Sequence, residues 1–584
     1  MRPLRETRTV SYAIGLVCWL LILLPAALAF LYVRAFGVSV VFSDAWSMVP
    51  LFDKWYSSTL QLSDLFSQHN EHRMFFPEGA ELLLGNATNY DNVDEMYLIQ
   101  ACLLVTLVIL LLAFRDSIKS SLWPVLFVPV SFLVFSFRQY ENMLFGYQIN
   151  FAFAQMFGVL ALFLLHVLRR RGFEKIAFVA ALGSATIASF SVAQGLLVWL
   201  AGLLQLSIGP LERPRKKIFF ALWGFIGLLE WVAYFVHYRS PKNGPALLYA
   251  LEHPLAGTEF LLRLLGSSLF WDQNLTLIGG SLLACLVLVS LLLIYKDRKL
   301  GEHSFWVSLL FWSFLILATI TLGRSGSGAG NALVSRYTTF SILAVVGVYA
   351  MLLKMTLERR STINAILLVV LAGFVLFGVA ISYPNGITIG SKEEASREKA
   401  AFVLSTYKSE PDEALVESLN PRARVVRESA PVLQKLGYNV FSEGSQAQRS
   451  LPPPLPDLSP LSSSTSSAPT ISADGISQQD HTVIVPQRAT FIELTGWAVD
   501  ADNESAAGGL DLDLDGRLFP AFYGEERQDV ASSSGVPSYR YSGFERALPV
   551  SEVGAGAHEL SVVVLTSDRR GYYQPSRKID LEVK

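Results

Sequence analysis

Polar groups set in apolar surroundings are where this chain can do chemistry. The stretch Gln68-His69-Asn70-Glu71-His72-Arg73 crowds two imidazoles, a carboxylate and a guanidinium together. His69, Glu71 and His72 are candidate ligands for a divalent metal ion, Mg²⁺ or Mn²⁺, or candidate proton carriers, and Arg73 suits a phosphate oxygen. Asp44 follows the apolar run Val40-Val41-Phe42. A carboxylate held against a bilayer surface becomes a general base if partial burial raises its pKa. A second group, Arg138, Glu141, Asn142 and Gln148, lies in an aromatic turn with Tyr140, Phe145 and Tyr147. These are candidate substrate contacts; the competing reading is aromatic anchoring plus an Arg138–Glu141 ion pair. A third is the glycine-rich run Gly323-Arg324-Ser325-Gly326-Ser327-Gly328-Ala329-Gly330, followed by Ser335-Arg336-Tyr337. Exposed backbone N–H groups flanked by Arg324 and Arg336, with Tyr337 beside them, suit an anionic, phosphate-bearing ligand. No Gly-Lys-Ser/Thr follows, so this is not a nucleotide P-loop. The competing reading is a flexible loop with a snorkelling Arg336. Gln194 interrupts an apolar run at Ser191-Val192-Ala193-Gln194-Gly195 and joins the candidate substrate contacts.

The elements that must position these groups follow from hydropathy. The chain has 584 residues, 52% hydrophobic and 16% charged, with mean hydropathy +0.40. Soluble domains run near a quarter charged, so a purely soluble protein is excluded. Stretches of about 20 apolar residues cross a bilayer. On that rule there are about eleven spans: 11–33, 97–114, 121–137, 150–168, 176–191, 195–209, 218–238, 275–295, 304–322, 338–354 and 363–382. The pair 176–191 and 195–209 is short and split, which suits a re-entrant or broken element. Residues 258–271 form a twelfth partial span or an interfacial helix. The first run is too long for a cleaved signal and is expected to stay as an anchor.

Lys and Arg concentrate in alternate short loops: Arg2, Arg5, Arg8; Arg115, Lys119; Arg169, Arg170, Arg171, Lys175; Arg213, Arg215, Lys216, Lys217; Lys296, Arg298, Lys299; Lys354, Arg359, Arg360. The positive-inside rule then puts the N-terminus in the cytoplasm and, with an odd span count, the last 200 or so residues outside. Net charge is −2 at a pI near 6.5, so no basic field points to nucleic acid. Cys18, Cys102 and Cys285 all sit in apolar runs, leaving no disulfide framework or thiolate metal site.

Beyond the transmembrane domain, 1–383, residues 384–447 read as a small helical extracytoplasmic segment. Residues 448–480 are Ser/Pro-rich and read as a flexible linker. From 481 to 584 short runs alternate with period two between turn signals, which predicts a β-sandwich accessory domain. Asp511-Leu512-Asp513-Leu514-Asp515-Gly516 imitates the start of an EF-hand, but Phe522 stands where the closing Glu belongs. Aspartates on the solvent face of a strand, ending in a turn, are expected instead.

The fold class expected is therefore a polytopic α-helical membrane protein with a C-terminal extracytoplasmic β-sandwich. Its long first outer loop with an early acidic residue resembles the GT-C superfamily of integral-membrane glycosyltransferases. The pattern Ser43-Asp44-Ala45-Trp46, His69-Asn70-Glu71-His72-Arg73, Gln139-Tyr140-Glu141-Asn142 and Gly323-Arg324 to Ser335-Arg336-Tyr337 is similar to a group of bacterial members, over about 10–445. The acidic motif of that superfamily is often a pair, and Asp44 has no adjacent carboxylate. The resemblance implies a bacterial inner or plasma membrane and a polyprenyl-phosphate-linked sugar donor. A surface glycan, lipid or protein would be the acceptor. Asp44 would take the acceptor proton, and Arg324, Arg336 and Arg73 would hold the leaving phosphate. His69, Glu71 and His72 would bind a divalent ion or orient the acceptor. Gly496-Trp497-Ala498 and Tyr523-Gly524 look like accessory domains of surface-carbohydrate proteins. The rival readings are an O-antigen polymerase or ligase and a lipid-linked glycan transporter. The transporter would place ionisable groups within spans, where Glu230 and His166 are nearly the only candidates. A third makes the sandwich a glycan- or partner-binding module on an anchor.

Overall fold

A computed structural model describes residues 3–170, 172–239, 249–359, 361–442, 462–464, 470–473, 477–479, 482–485, 488–574 and 578–584. Arg2, Arg171 and Arg360, which contribute to the orientation argument, lie outside them, as does most of the 448–480 linker. The chain separates into two compact units. The first comprises Met1–Gly37, Ser57–Leu84 and Val93–Lys392; the second comprises Val38–Tyr56, Gly85–Asn92 and Glu393–Lys584.

The first unit is helical. Among the described residues eight helices are long and apolar enough to cross a membrane. They correspond to the expected spans beginning near 11, 97, 150, 218, 275, 304, 338 and 363. The remaining three expected spans are helical but short: Trp123–Val134, Glu174–Ser189 and Val198–Ile208. The 121–137 run is apolar throughout, yet its α-helix stops at Val134 and the chain re-forms as a 3-10 turn at Phe137–Gln139. Hydropathy sees the apolar run and not the break, because Phe135 and Phe137 are as buried as the helix before them. Between Glu174–Ser189 and Val198–Ile208 the chain turns through 3-10 residues Ala193–Leu197. Gly195 permits this turn, since a Cβ there would fall inside the Ala188 carbonyl. Of residues 258–271, those to Gly266 belong to a helix, Pro254–Gly266, pressed against Gln273–Lys296, and the rest form the turn between the two. Gly266 and Gly280 face backbone atoms of the opposing helix so closely that neither has room for a methyl group, the small-residue contact of membrane helices.

Apolarity falls at 383, but the helix does not. Thr362–Ser405 runs through Pro384 without interruption. Ser391 to Lys399 is polar and still helix-forming, so the end of an apolar run marks a change of environment and not of secondary structure.

In the second unit, helices Asp412–Ser418 and Ala423–Leu436 follow, the latter ending at left-handed Gly437. Asn439, fully buried, accepts from Val41 N–H at 3.2 Å and donates to Tyr90 O and Asn92 Oδ1, both at 2.9 Å. One amide thereby satisfies backbone and side-chain groups from two distant stretches of sequence. Two sheets complete the unit. One orders Arg517–Pro520, Gly509–Leu514, Gly556–Leu565, Ile579–Val583, Thr482–Val485 and Ser477–Gln479; the other orders Phe522–Glu525, Gly543–Pro549, Phe491–Trp497 and Thr470–Ala473. Ile492, Leu494, Phe544 and Leu548 of the second meet Leu512, Val562, Val564 and Leu581 of the first in one core, a sandwich-like arrangement. Ser462–Ser464, Thr470–Ala473 and Ser477–Gln479 are strands inside the range expected to be a linker. Ladder pairing accounts for them, since a backbone can pair without an apolar side chain.

The aspartate run departs from expectation. Asp515 and Gly516, both at positive φ, make the turn between Gly509–Leu514 and Arg517–Pro520, but Asp511 is buried and not on a solvent face. Burial pushes its carboxyl up to about 6. Asp515 receives Glu559 N–H at 2.8 Å and contacts His558 Nδ1 at 2.7 Å.

Candidate functional site

In the first unit, Gln68–His69 and His72–Arg73 pair as a minimal hairpin, with His69 opposite His72. Asn70 makes the turn at φ 51°, a conformation its short amide tolerates. Gln68 clips the hairpin to Arg239 through its Nε2 to the carbonyl at 2.6 Å and its Oε1 from the N–H at 2.9 Å. Arg73 is spent on the same task. Its Nε donates to Tyr234 O at 2.8 Å, and its two terminal nitrogens to Phe66 O and Val236 O, both at 2.6 Å. It thereby satisfies carbonyls at the end of helix Arg213–Phe235 with three of its five guanidinium N–H groups. Arg73, expected to contact phosphate, serves here to fasten the hairpin.

The hairpin presents Glu71 and His72. Glu71 Oε1 accepts from Arg324 Nη2 at 2.7 Å, and Tyr234 Oη donates to the Glu71 carbonyl at 3.0 Å. His72 Nδ1 accepts Ala193 N–H at 3.2 Å, at the turn that Gly195 makes possible. This acceptor role assigns the neutral proton to Nε2, 3.9 Å from Glu71 Oε1. Burial pushes the Glu71 carboxyl up, but its interactions with His72 and Arg324 outweigh it, so it lies below its ordinary value. Glu71 is thus an ionised partner that orients Arg324, not a base. Only one of the five guanidinium N–H directions of Arg324 is committed among the described residues, and the group is 41% exposed. Gln194, next to Ala193, has its Oε1 buried with no partner among the described residues.

The metal expectation is corrected. Among the described residues no group of three His, Cys, Asp or Glu side chains is disposed to hold a metal ion. Glu71 turns to Arg324, His72 Nδ1 receives a backbone N–H, and the His69 ring packs edge-on against Tyr147 at 5.7 Å. The three residues share a hairpin but do not converge on a point.

The glycine-rich run continues from Arg324 through short 3-10 turns to Ser335–Tyr337, with Gly328 at φ 97°. Residues 138–142 hold its far end. Glu141 accepts from the Arg336 N–H at 2.9 Å and faces its guanidinium at 3.4 Å, and Asn142 donates to Arg336 O at 2.9 Å. Arg138 is 2% exposed. Its Nε donates to Phe270 O at 3.0 Å and its Nη2 to Leu333 O at 2.5 Å, with the guanidinium 4.6 Å above the Trp271 ring. Arg138 and Asn142 therefore fasten the loop from within and cannot reach a substrate. Tyr337 and Gln148 are also buried. Of the expected contacts, Arg324, Gln194 and the half-exposed Arg336–Glu141 pair remain available to a ligand.

Asp44 belongs to the second unit. Its backbone is fixed by neighbours: Ser43, at φ 51°, donates to Leu419 O at 2.6 Å, and Asn420 Nδ2 donates to Ser43 O at 3.0 Å. The Asp44 side chain itself is exposed.

The structure also draws attention to carboxylates that charge counting passes over. Glu78 and Glu81, on helix Phe75–Thr88, and Glu95 are each at most 4% exposed. Burial pushes Glu78 up to about 8. Glu81 is raised by burial and by the neighbouring Glu95 and Glu78 charges. The available signal was two carboxylates three residues apart in the apolar stretch 75–84, the spacing of one helix face.

No family model matches the chain, and no solved structure matches it. A protein of Archaeoglobus fulgidus described as "Uncharacterized protein" is 26% identical over 213 residues, covering 34% of this chain and 53% of the relative. The chain spans about half the length of that relative, and the likeness brings no activity with it.

Proposed function

We propose that this protein is an integral-membrane glycosyltransferase of the GT-C type, acting on the non-cytoplasmic face of a bacterial membrane. It moves a sugar from a polyprenyl-phosphate-linked donor to a glycan, lipid or protein acceptor. The observation that carries the reading is the Glu71–Arg324 pair: a half-exposed guanidinium, oriented by a carboxylate and opening onto a glycine-rich turn. In transfer with inversion the acceptor oxygen attacks the anomeric carbon. The bond from that carbon to the phosphate oxygen breaks, and its electron pair leaves with the phosphate. Arg324 neutralises the charge that grows there, and His72 offers an Nε2–H beside it. A general base takes the acceptor proton, a contribution of about 10²–10⁴-fold, and it is the resemblance alone that names Asp44 for that role.

The test is transfer from a radiolabelled lipid-linked donor in membranes. Arg324→Ala is expected to lower transfer by at least about 100-fold, the scale of one lost charge-stabilising donor. Full transfer by Arg324→Ala in folded protein would refute the phosphate role; full transfer by Asp44→Asn would refute the base alone. One observation favours a second reading. The buried carboxylates Glu78, Glu81 and Glu95 suit a proton-coupled carrier of lipid-linked glycans. Glu81→Gln that stops movement of a fluorescent lipid-linked sugar between leaflets, with transfer intact, would select it.

A further inference from the structure

In the second unit a cavity of about 170 Å³ opens between the chain at 399–418 and the sheet that contains Phe491–Trp497 and Gly543–Pro549. Cavities of about 150 Å³ take a ring the size of benzene, so this one has room for one six-membered ring. Its lining mixes three chemistries. Phe402 and Phe522 supply apolar surface, their centroids 6.0 Å apart at 50°. Glu413 and Glu417, one helical turn apart, and Glu493 across from them supply carboxylates that form no ion pair among the described residues. Lys399 and Arg546 supply donors. Lys399 Nζ is held by Glu525 at 2.9 Å and Glu545 at 2.7 Å. Arg546, 4% exposed, pairs with Glu410 and donates to Ser409 Oγ at 2.9 Å, leaving its Nε with no partner among the described residues.

An anion meets three uncompensated carboxylates, while Lys399 and Arg546 are already paired with Glu525, Glu545 and Glu410, so they offer N–H donors and no free positive charge. A neutral polyol avoids the repulsion and uses donors and acceptors alike. Its hydroxyls donate to carboxylates and accept from cationic N–H groups, and its C–H face lies on an aromatic ring. We infer that this cavity is a saccharide-binding site, taking one neutral pyranose unit of a glycan. It stands whether or not the first unit transfers sugars.

The test uses the full-length protein in phospholipid nanodiscs, since sugar-headed detergents would compete. Saturation-transfer NMR titrations are run with the methyl glycosides of glucose, galactose, mannose and N-acetylglucosamine. Glucosamine and glucuronate serve as charged comparators. At least one neutral glycoside is expected to bind saturably. Glu417→Ala and Glu493→Ala, both exposed and replaceable without disturbing the core, are each expected to weaken it tenfold or more. Glu582→Ala, exposed on Ile579–Val583 and not lining the cavity, is expected to leave it unchanged. Absence of binding by every neutral glycoside, binding by a charged comparator alone, or binding indifferent to both Glu417→Ala and Glu493→Ala overturns the proposal. Loss of lipid-linked transfer in Arg324→Ala with sugar binding intact would show that the two sites fail separately.

Discussion

Replacing Glu78 by Gln should change how the protein's stability depends on pH. Glu78 is 4% exposed, and burial moves its carboxyl from the ordinary 4.5 up to about 8. Between those values the folded chain holds a proton that the unfolded chain has released. Stability therefore falls as pH rises through this window, by up to about 1.36 kcal/mol per pH unit. Across the gap the loss amounts to about 5 kcal/mol, complete once pH passes the folded value; below 4.5 the group contributes no slope. Gln has the shape of the protonated acid and no proton to lose. The wild type and Glu78→Gln should thus unfold at similar temperatures near pH 5 and diverge steadily to pH 8–9, with the variant more stable. Glu81 leaves a residual slope in both. Removing the Glu78 charge also relieves Glu81, so the variant's slope should be shallower than one group's loss alone implies. Unfolding in nanodiscs, followed by tryptophan fluorescence at half-unit steps from pH 5 to 9, reads the difference directly. Parallel wild-type and variant curves would mean that Glu78 is solvated and that the burial argument fails.

Other substitutions separate positioning from chemistry. Gly195→Ala places a methyl group against the Ala188 carbonyl and should cost about 1–3 kcal/mol while lowering transfer, because it moves the Ala193 N–H that His72 receives; thermal unfolding and the transfer assay check both. Arg73→Ala should destabilise by about 1–3 kcal/mol through its three orphaned carbonyls, yet leave the KM for lipid-linked donor unchanged. Glu410→Gln strands Arg546 and should cost about 3–5 kcal/mol, visible as faster proteolysis of the second unit; the paired change of Glu410 and Arg546 to Leu and Met should cost less. Excess EDTA should leave transfer intact, since His69, Glu71 and His72 do not converge.

Hydropathy reads long apolar helices well because a bilayer span needs little beyond apolar length. It fails at 121–137, where an apolar run contains a break, and at 383, where a helix outlasts its apolarity. Both failures arise because burial and backbone hydrogen bonding are separate requirements. The site was legible in residue types but not in partners. Arg324 and Arg73 look alike in sequence as arginines between apolar runs, yet one meets a carboxylate and the other meets three backbone carbonyls. Carbonyl partners are invisible in sequence, since every residue carries one. Arg138 shows the same limit, with Phe270 and Leu333 supplying its acceptors. Period-two alternation identified the strand-rich C-terminal region, but it put Asp511 on the wrong face, because Leu510, Asp511 and Leu512 are all buried.

The Glu71–Arg324 pair also has a history in time. Its members are 253 residues apart. At ribosomal rates of about 5–20 residues per second, Glu71 waits roughly 10–50 s for its partner to be synthesised. Until helix Ser304–Arg324 is inserted, the guanidinium that would bind a lipid phosphate does not exist. An N-terminal fragment released early thus lacks Arg324, however well its first helices fold. The order of synthesis itself sets when the pair can form: after the sixth of the eight long apolar helices among the described residues, and in no shorter fragment.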